Sequence, residues 1–293
     1  MVVVEVCGQS YAINKHLKKN WDKIKDGKLT KMDEDRIYVV DGRERSGKST
    51  FTFQQAAYID PTIIDDYKKR VTYSAQQTLD AIRSTRSDSK NTKVVIWDEA
   101  FRGLSSSSEL SKENKTVVQC LMEMGQHNLV LFIVSPSFFL LNKYSAMMRS
   151  NTLFHVVKNN AGRRYFRVFN FNQKAMLYNI GLKKGWGYNV PTRFKDGFSG
   201  KFPGGDEFKK NYEEWKNKCT MQDIKEEVKE NRYKPQRDLA IAALYKALNK
   251  NKSATSRALN DINYDITEST VREILKKVAE KAEENRNPQP NII

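Results

Sequence analysis

Gly42-Arg43-Glu44-Arg45-Ser46-Gly47-Lys48-Ser49 matches the pattern G-x-x-x-x-G-K-[ST] at every required position, and its reading decides the fold. The glycines allow a tight turn and let backbone N–H groups approach phosphate oxygens. The helix that opens at the lysine adds the positive end of its dipole. On this reading Gly42, Arg43, Glu44, Arg45, Ser46, Gly47, Lys48, Ser49 and Thr50 form a cradle for ATP. Lys48 is expected to reach the β- and γ-phosphates and to act in catalysis, and Ser49 to place its hydroxyl on Mg²⁺. The flanks supply the required context, an apolar strand from Arg36 to Asp41 and a helical stretch from Lys48 to Tyr58. The alternative is a merely glycine-rich turn, and the strand before it and the helix after it speak against that.

A second signal follows about fifty residues on. Val94-Val95-Ile96-Trp97 is an apolar run that ends in Asp98-Glu99. Ligands of a parallel sheet bind at the carboxyl ends of its strands, which would place both acids beside the phosphate loop. Asp98 is the expected Mg²⁺ ligand, direct or through water, and Glu99 the expected catalytic group that orients and polarises the attacking water. A single acid there reads equally well as a solvated strand end. Two acids in a chain that also carries the loop favour repeated ATP hydrolysis over phosphate transfer to a small metabolite.

Working outward, short β-branched runs alternate with helical stretches. The runs are Ile37 to Val40, Thr62 to Ile64, Val94 to Trp97, Leu129 to Val134 and Leu153 to Val157. Continuous apolar runs of this length are expected to be strands buried on both faces. The helical segments begin near Lys48, Ser74, Lys112 and Phe138. The fold class is therefore α/β, a phosphate-loop core with a mainly parallel central sheet flanked by helices. Asn159 to Gly162 reads as a hairpin turn, with the strand from Arg164 to Asn170 antiparallel to its predecessor. The expected organisation is an N-terminal extension (1–34), the ATPase core (35–170), a basic, aromatic-rich connecting region (171–234), a small helical domain (235–284) and a tail (285–293).

The formal net charge of +16 favours a polyanionic partner, because lysines and arginines gain affinity by displacing counterions from phosphates. DNA is the expected partner. Between Lys158 and Lys210 there are twelve Lys/Arg and three Asp/Glu, interleaved with Tyr165, Phe166, Phe169, Phe171, Tyr178, Trp186, Tyr188, Phe194, Phe198, Phe202 and Phe208. That stretch could grip phosphates and stack bases, or its aromatics could pack onto the core and leave the cations solvated. In the last segment Ile241, Leu244, Tyr245 and Leu248 share one helical face. Helices from Ser253 to Asn260 and from Glu268 to about Glu284 complete a tri-helical unit resembling a helix-turn-helix, with Ser269, Thr270 and Arg272 near the start of its recognition helix. Its charge is nearly balanced, nine Lys/Arg against eight Asp/Glu from Arg237 to Glu284, so a protein-docking role is the alternative.

Three dispersed cysteines, Cys7, Cys120 and Cys219, match no disulfide framework or metal spacing, which fits a reducing cytoplasm. No stretch reaches the ~20 apolar residues of a membrane helix, and MVVVEVCGQS has no basic region ahead of its apolar residues, so neither membrane insertion nor a signal peptide is expected.

Taken with Leu121-Met122-Glu123-Met124-Gly125-Gln126-His127, Ser135-Pro136-Ser137 and Met148-Arg149-Ser150-Asn151, the loop and Asp98-Glu99-Ala100-Phe101 carry a resemblance. Over about residues 36–158 the chain resembles the P-loop ATPases with an additional catalytic glutamate. Within them it is most similar to the HerA/FtsK-type translocases and the related viral genome-packaging and Zot-like ATPases. The resemblance implies a central loop strand flanked by the fourth strand, and a homo-oligomeric ring, commonly of six subunits, that moves DNA. It also implies a polar γ-phosphate sensor at the end of the fourth strand, here Ser135. Family members often carry, where Gln126 stands, an arginine that acts on a neighbour's ATP; Arg149 and Arg102 are the substitutes this sequence offers. The expected function is ATP-driven translocation or packaging of viral or plasmid DNA. The alternatives are a DNA-bound ATPase that loads or regulates replication or transposition proteins, and a nucleotide-dependent DNA-binding switch with little turnover.

Overall fold

The structure is a computed structural model that describes residues 1–100, 112–183, 185, 187–199, 201–262 and 264–286. It divides into two compact units, Met1–Asn217 and Lys218–Ile293.

The first unit begins with a hairpin, β1 (Val2–Val6) and β2 (Gln9–Ile13). Cys7 and Gly8 join them, both with positive φ (49° and 72°), as the two-residue turns that match strand twist require. Helix α1 (Lys15–Lys25) follows, with Asn14 as its N-cap accepting the His16 and Leu17 N–H groups. Leu17, Trp21 and Ile24 lie on its buried face, and α2 (Lys28–Met32) adds Leu29. Trp21 packs edge-on against Tyr38 and donates Nε1–H to Gln55 Oε1 at 2.8 Å. Helix α1 therefore covers one face of the main sheet through Trp21, which also packs on Phe132 and Phe154.

That sheet has seven strands in the order β4-β5-β6-β3-β7-β8-β9. They are β3 (Arg36–Asp41), β4 (Val71–Thr72), β5 (Val94–Trp97), β6 (Val130–Ser135), β7 (Thr152–Lys158), β8 (Arg164–Phe169) and β9 (Phe194–Gly197). The pairings from β4 through β7 are parallel, and β7–β8 and β8–β9 are antiparallel. The mainly parallel sheet expected from the apolar runs is present. The loop strand β3 lies centrally between β6 and β7, as the resemblance implied. All residues of β5 and β6 are buried, which explains why they read as unbroken apolar runs.

Helices α3 (Lys48–Ile59), α4 (Tyr67–Arg70), α5 (Ala75–Ser84), α6 (Lys112–Glu123) and α7 (Phe171–Lys183) surround the sheet. The segment Thr62 to Ile64, expected as a strand, is instead a 3-10 turn over Pro61–Ile63. Pro61 follows Asp60, whose carboxylate accepts the Thr62 N–H and hydroxyl, and this local cap outcompetes strand pairing. The helix expected near Phe138 is a short 3-10 turn, Phe138–Leu140, followed by a π-helical turn, Tyr144–Arg149. The connecting region contains α7 and β9, and a further helix begins within it at Gly205.

Helix α8 spans Gly205–Ala247, and the separate helix expected from Arg237 onward is its last part. Pro235 falls within it. In the second unit, α9 (Lys252–Asp261) is capped by Asn251, whose side chain accepts the Ala254 N–H. With α10 (Glu268–Arg286), it encloses a small core of Ile241, Leu259, Ile266, Val271 and Ile274.

Candidate nucleotide site

β3 ends at the buried Asp41, and the loop Gly42–Gly47 leads directly into α3. At Gly42 (φ 148°) a Cβ would sit 2.1 Å from the Val156 carbonyl oxygen, so the neighbouring strand leaves room only for glycine. Gly47 (φ 100°) is the residue before α3 and offers no side-chain cap. The first N–H groups of the helix are thus available to an anion. Arg45 also takes a left-handed conformation, with φ 58°. Ser46 Oγ is buried in the loop and has no hydrogen-bond partner among the described residues. A cavity of about 770 Å³, bordered by Arg43, Glu44, Arg45, His155, Lys158 and Tyr188, opens beside the loop.

Lys48 Nζ folds back over the loop and donates to the carbonyl oxygens of Gly42 (2.7 Å) and Arg43 (3.0 Å). Burial lowers its pKa, and the carboxylates of Glu99, Asp98 and Asp41 oppose that shift. β3 and β5 run parallel in one sheet, so the loop lysine and the acid pair, some fifty residues apart in sequence, follow strand ends at the same edge.

The acid pair sits just beyond β5. Asp98 is buried, and its Oδ1 accepts the Glu99 N–H at 3.0 Å. Glu99 takes a positive φ of 55°, uncommon for a residue with a side chain, which turns it away from the strand direction. Asp98 Oδ2 accepts Tyr212 O–H (2.8 Å) and Lys216 Nζ (2.7 Å), and Lys216 Nζ also reaches Glu99 Oε1 at 3.2 Å. Both partners lie on α8, outside every motif read from the sequence. Burial alone would lower the Lys216 pKa, but Asp98 and Glu99 outweigh it and hold the ammonium above its ordinary range. Burial, then Asp98, pushes the Tyr212 phenol well up.

These residues fit Mg²⁺. The carboxylates already gather a cation, and Mg²⁺ is characteristically held by one or two protein oxygens together with substrate phosphates. Ser49, in the first turn of α3, and Asp98 are the residues that would hold it.

Ser135 ends β6 directly across from Asp41, so it lies beside the origin of the loop. Its hydroxyl donates to the Ser137 carbonyl at 2.9 Å. Asp41 itself ties the strand ends together. It accepts the Phe138 N–H (2.8 Å) and the Tyr188 hydroxyl, and its Oδ1 pairs with His155 Nδ1 at 2.9 Å. Tyr188 stacks on His155 with ring centres 3.7 Å apart.

Arg149 is not brought to the loop. It makes a bidentate pair with Asp35, with one contact of 2.9 Å, and its Nε donates to the Leu121 carbonyl. Asp35 precedes β3, so the pair sits at the opposite end of that strand, about 20 Å from Gly42 at ~3.3 Å per residue. Arg102, Phe101 and the serine run Ser105 to Ser108 lie outside the described residues.

The aromatics of the basic region divide clearly. Phe166 and Phe198 pack on Phe51 of α3, and Phe202, Phe208 and Tyr212 pack on Phe53. Packing onto the core, rather than base stacking, is their role here; Phe171 is half-exposed. Arg164 crosses the loop, its Cδ lying 2.8 Å from where a Gly47 Cβ would stand, and its buried Nε has no hydrogen-bond partner among the described residues. In sequence it was only one cation of a basic hairpin.

The strand–loop–helix, with an acid pair after a parallel strand of the same sheet, is an α/β fold with a phosphate-loop arrangement. The chain is similar in structure to the N-terminal domain of zonular occludens toxin from Neisseria meningitidis (14% identity, 57% of this chain and 94% of that chain, TM-score 0.36). It is also similar to the genome packaging NTPase B204 from Sulfolobus turreted icosahedral virus 2 in complex with ATP-gammaS (13% identity, 48% and 94%, TM-score 0.33). A third is B204, the DNA-packaging ATPase from Sulfolobus Turreted Icosahedral Virus (12% identity, 49% and 96%, TM-score 0.33). No protein-family model and no curated protein matches the chain.

Proposed function

We infer that this chain hydrolyses ATP with Mg²⁺ and uses the reaction to move DNA, as a translocation or packaging motor. What supports the hydrolytic part is that β3 and β5 end at the same carboxyl edge of the sheet, where the Lys48 loop and the Asp98–Glu99 pair follow them. Bound Mg²⁺ would neutralise charge developing on the β- and γ-phosphates. The loop N–H groups and Lys48 bind and orient the triphosphate, and Glu99 takes a proton from the attacking water. Ser135, beside Asp41 at the strand ends, is the candidate for sensing the γ-phosphate once its hydroxyl turns from the Ser137 carbonyl. Arg164, lying over the loop, is a further candidate phosphate contact.

The DNA part rests on the charge of +16 and on the motif resemblance to translocases. A ring of like subunits belongs to the same reading. So does a DNA contact by Ser269, Thr270 and Arg272 at the start of α10.

The test is ATP turnover measured with and without single- and double-stranded DNA, beside the mass of the assembly in solution. The motor reading expects DNA-stimulated, salt-sensitive turnover by an oligomer. Turnover indifferent to DNA by a monomer would end it.

A further inference from the structure

The first turns of α8 carry a cation into the acid pair. Pro203, Gly204 and Gly205 turn the chain into the helix, with Asp206 and Glu207 in its first turn. Phe208, Tyr212 and Trp215 then recur at i, i+4 and i+7, one stripe of the helix. Phe208 and Tyr212 pack against Phe53, with ring centres 5.7 and 4.8 Å away, and Trp215 packs against Tyr67 and Tyr73 at 5.3 and 5.4 Å. This ridge fixes the rotation of the helix, and with it the position of Lys216 one residue further on.

Lys216 bridges the two carboxylates assigned to metal and water. Its side chain is 24% exposed, while Asp98 is 2% exposed, so the pair is largely shielded from water. Asp98 Oδ1 already accepts the Glu99 N–H and Oδ2 accepts both Tyr212 and Lys216. Oδ2 is thus occupied twice and Oδ1 once, so a cation that takes Oδ2 must displace one of its partners. The same ammonium reaches Glu99 Oε1 at 3.2 Å, so it spans both acids.

We propose that Lys216 is a built-in counter-ion of the Asp98–Glu99 pair, which Mg²⁺ must displace when it arrives with the nucleotide. Lys216 is thus a positioning residue: it keeps two neighbouring acids compensated and folded over the site without the metal, and sets how much Mg²⁺ is needed to activate it. The first turns of α8 are released as the ammonium leaves. This rests on the nucleotide reading of the loop given above.

The experiment titrates Mg²⁺ into the full chain with a fluorescent ATP analogue and follows binding, for wild type, Lys216→Met, Lys216→Arg and Lys48→Ala. Lys216→Met is expected to reach half-maximal binding at about tenfold lower Mg²⁺, the effect of removing one close competing charge, with Lys216→Arg near wild type. Hydrogen exchange on the wild type gives an independent readout: amides around 208–216 are expected to lose protection when Mg²⁺ and nucleotide are added together. An unchanged or higher Mg²⁺ requirement in Lys216→Met, or unchanged exchange at 208–216 on binding, overturns the counter-ion role alone. A wild type that binds no nucleotide at any Mg²⁺, like Lys48→Ala, overturns the nucleotide reading and this role with it.

Discussion

Arg149 and Asp35 form a bidentate ion pair at the entrance of β3, on the far side of the sheet from the loop that the same strand feeds. Arg149 also satisfies the Leu121 carbonyl, at the end of α6, so one guanidinium joins three segments of the first unit. Arg149→Met would leave a largely buried carboxylate without its partner. It is expected to lower unfolding free energy by about 2–3 kcal/mol, measured by urea denaturation. Its half-maximal nucleotide concentration should stay at the wild-type value. A variant with full stability and lost turnover would support Arg149 as the arginine that acts on a neighbour's ATP.

Lys174 offers a pH signature. It is fully buried on α7 and donates to the Ala146 carbonyl (3.1 Å) and to Ser150 Oγ (2.6 Å), serving groups left over by the π-helical turn. Burial lowers its pKa to about 8. Its unfolded value lies near 10.5, so between those values the unfolded chain holds the extra proton. Stability contributed by this group therefore rises with pH from about 8 upward, with a limiting slope of ~1.4 kcal/mol per pH unit. The buried tyrosines, raised by burial, work in the opposite sense above pH ~10, where unfolded phenols begin to ionise. Urea midpoints compared between pH 8 and 9.5 should thus climb more steeply in wild type than in Lys174→Met. Parallel curves would refute the assignment.

Gly42→Ala is the backbone test of the cradle. The added methyl would meet the Val156 carbonyl at 2.1 Å and Ser46 Oγ at 3.0 Å. Strand β7 or the loop must then move, at an expected cost of about 1–3 kcal/mol in stability, with nucleotide affinity lost more than tenfold. Calorimetric melting and nucleotide titration of the same variant measure the two. Wild-type affinity in Gly42→Ala would mean that the loop does not carry the phosphates.

Much of the core was legible because its signals are local. The loop pattern states its own geometry, and β5 and β6 read as buried strands because both faces are covered. Thr62 to Ile64 misled because three β-branched residues outweighed Asp60-Pro61, a capped turn whose hydrogen bonds form over two residues. The site's outer layer was not legible. Tyr212 and Lys216 lie 114 and 118 positions from Asp98, and nothing in a lysine-rich helix distinguishes the lysine that turns inward. The same holds for His155 and Tyr188, which meet on Asp41 only once β7 lies beside β3. Long-range pairing of polar side chains has no sequence period, so it appears only when the sheet order is known.

In the proposed reaction this cradle hydrolyses ATP through Glu99. The most direct measurement is nucleotide binding and steady-state turnover in parallel for wild type and Glu99→Gln. The glutamine keeps the size of the side chain and removes its basicity, so binding should persist while turnover falls by about 10²–10⁴-fold. Turnover by Glu99→Gln at the wild-type rate would contradict the account.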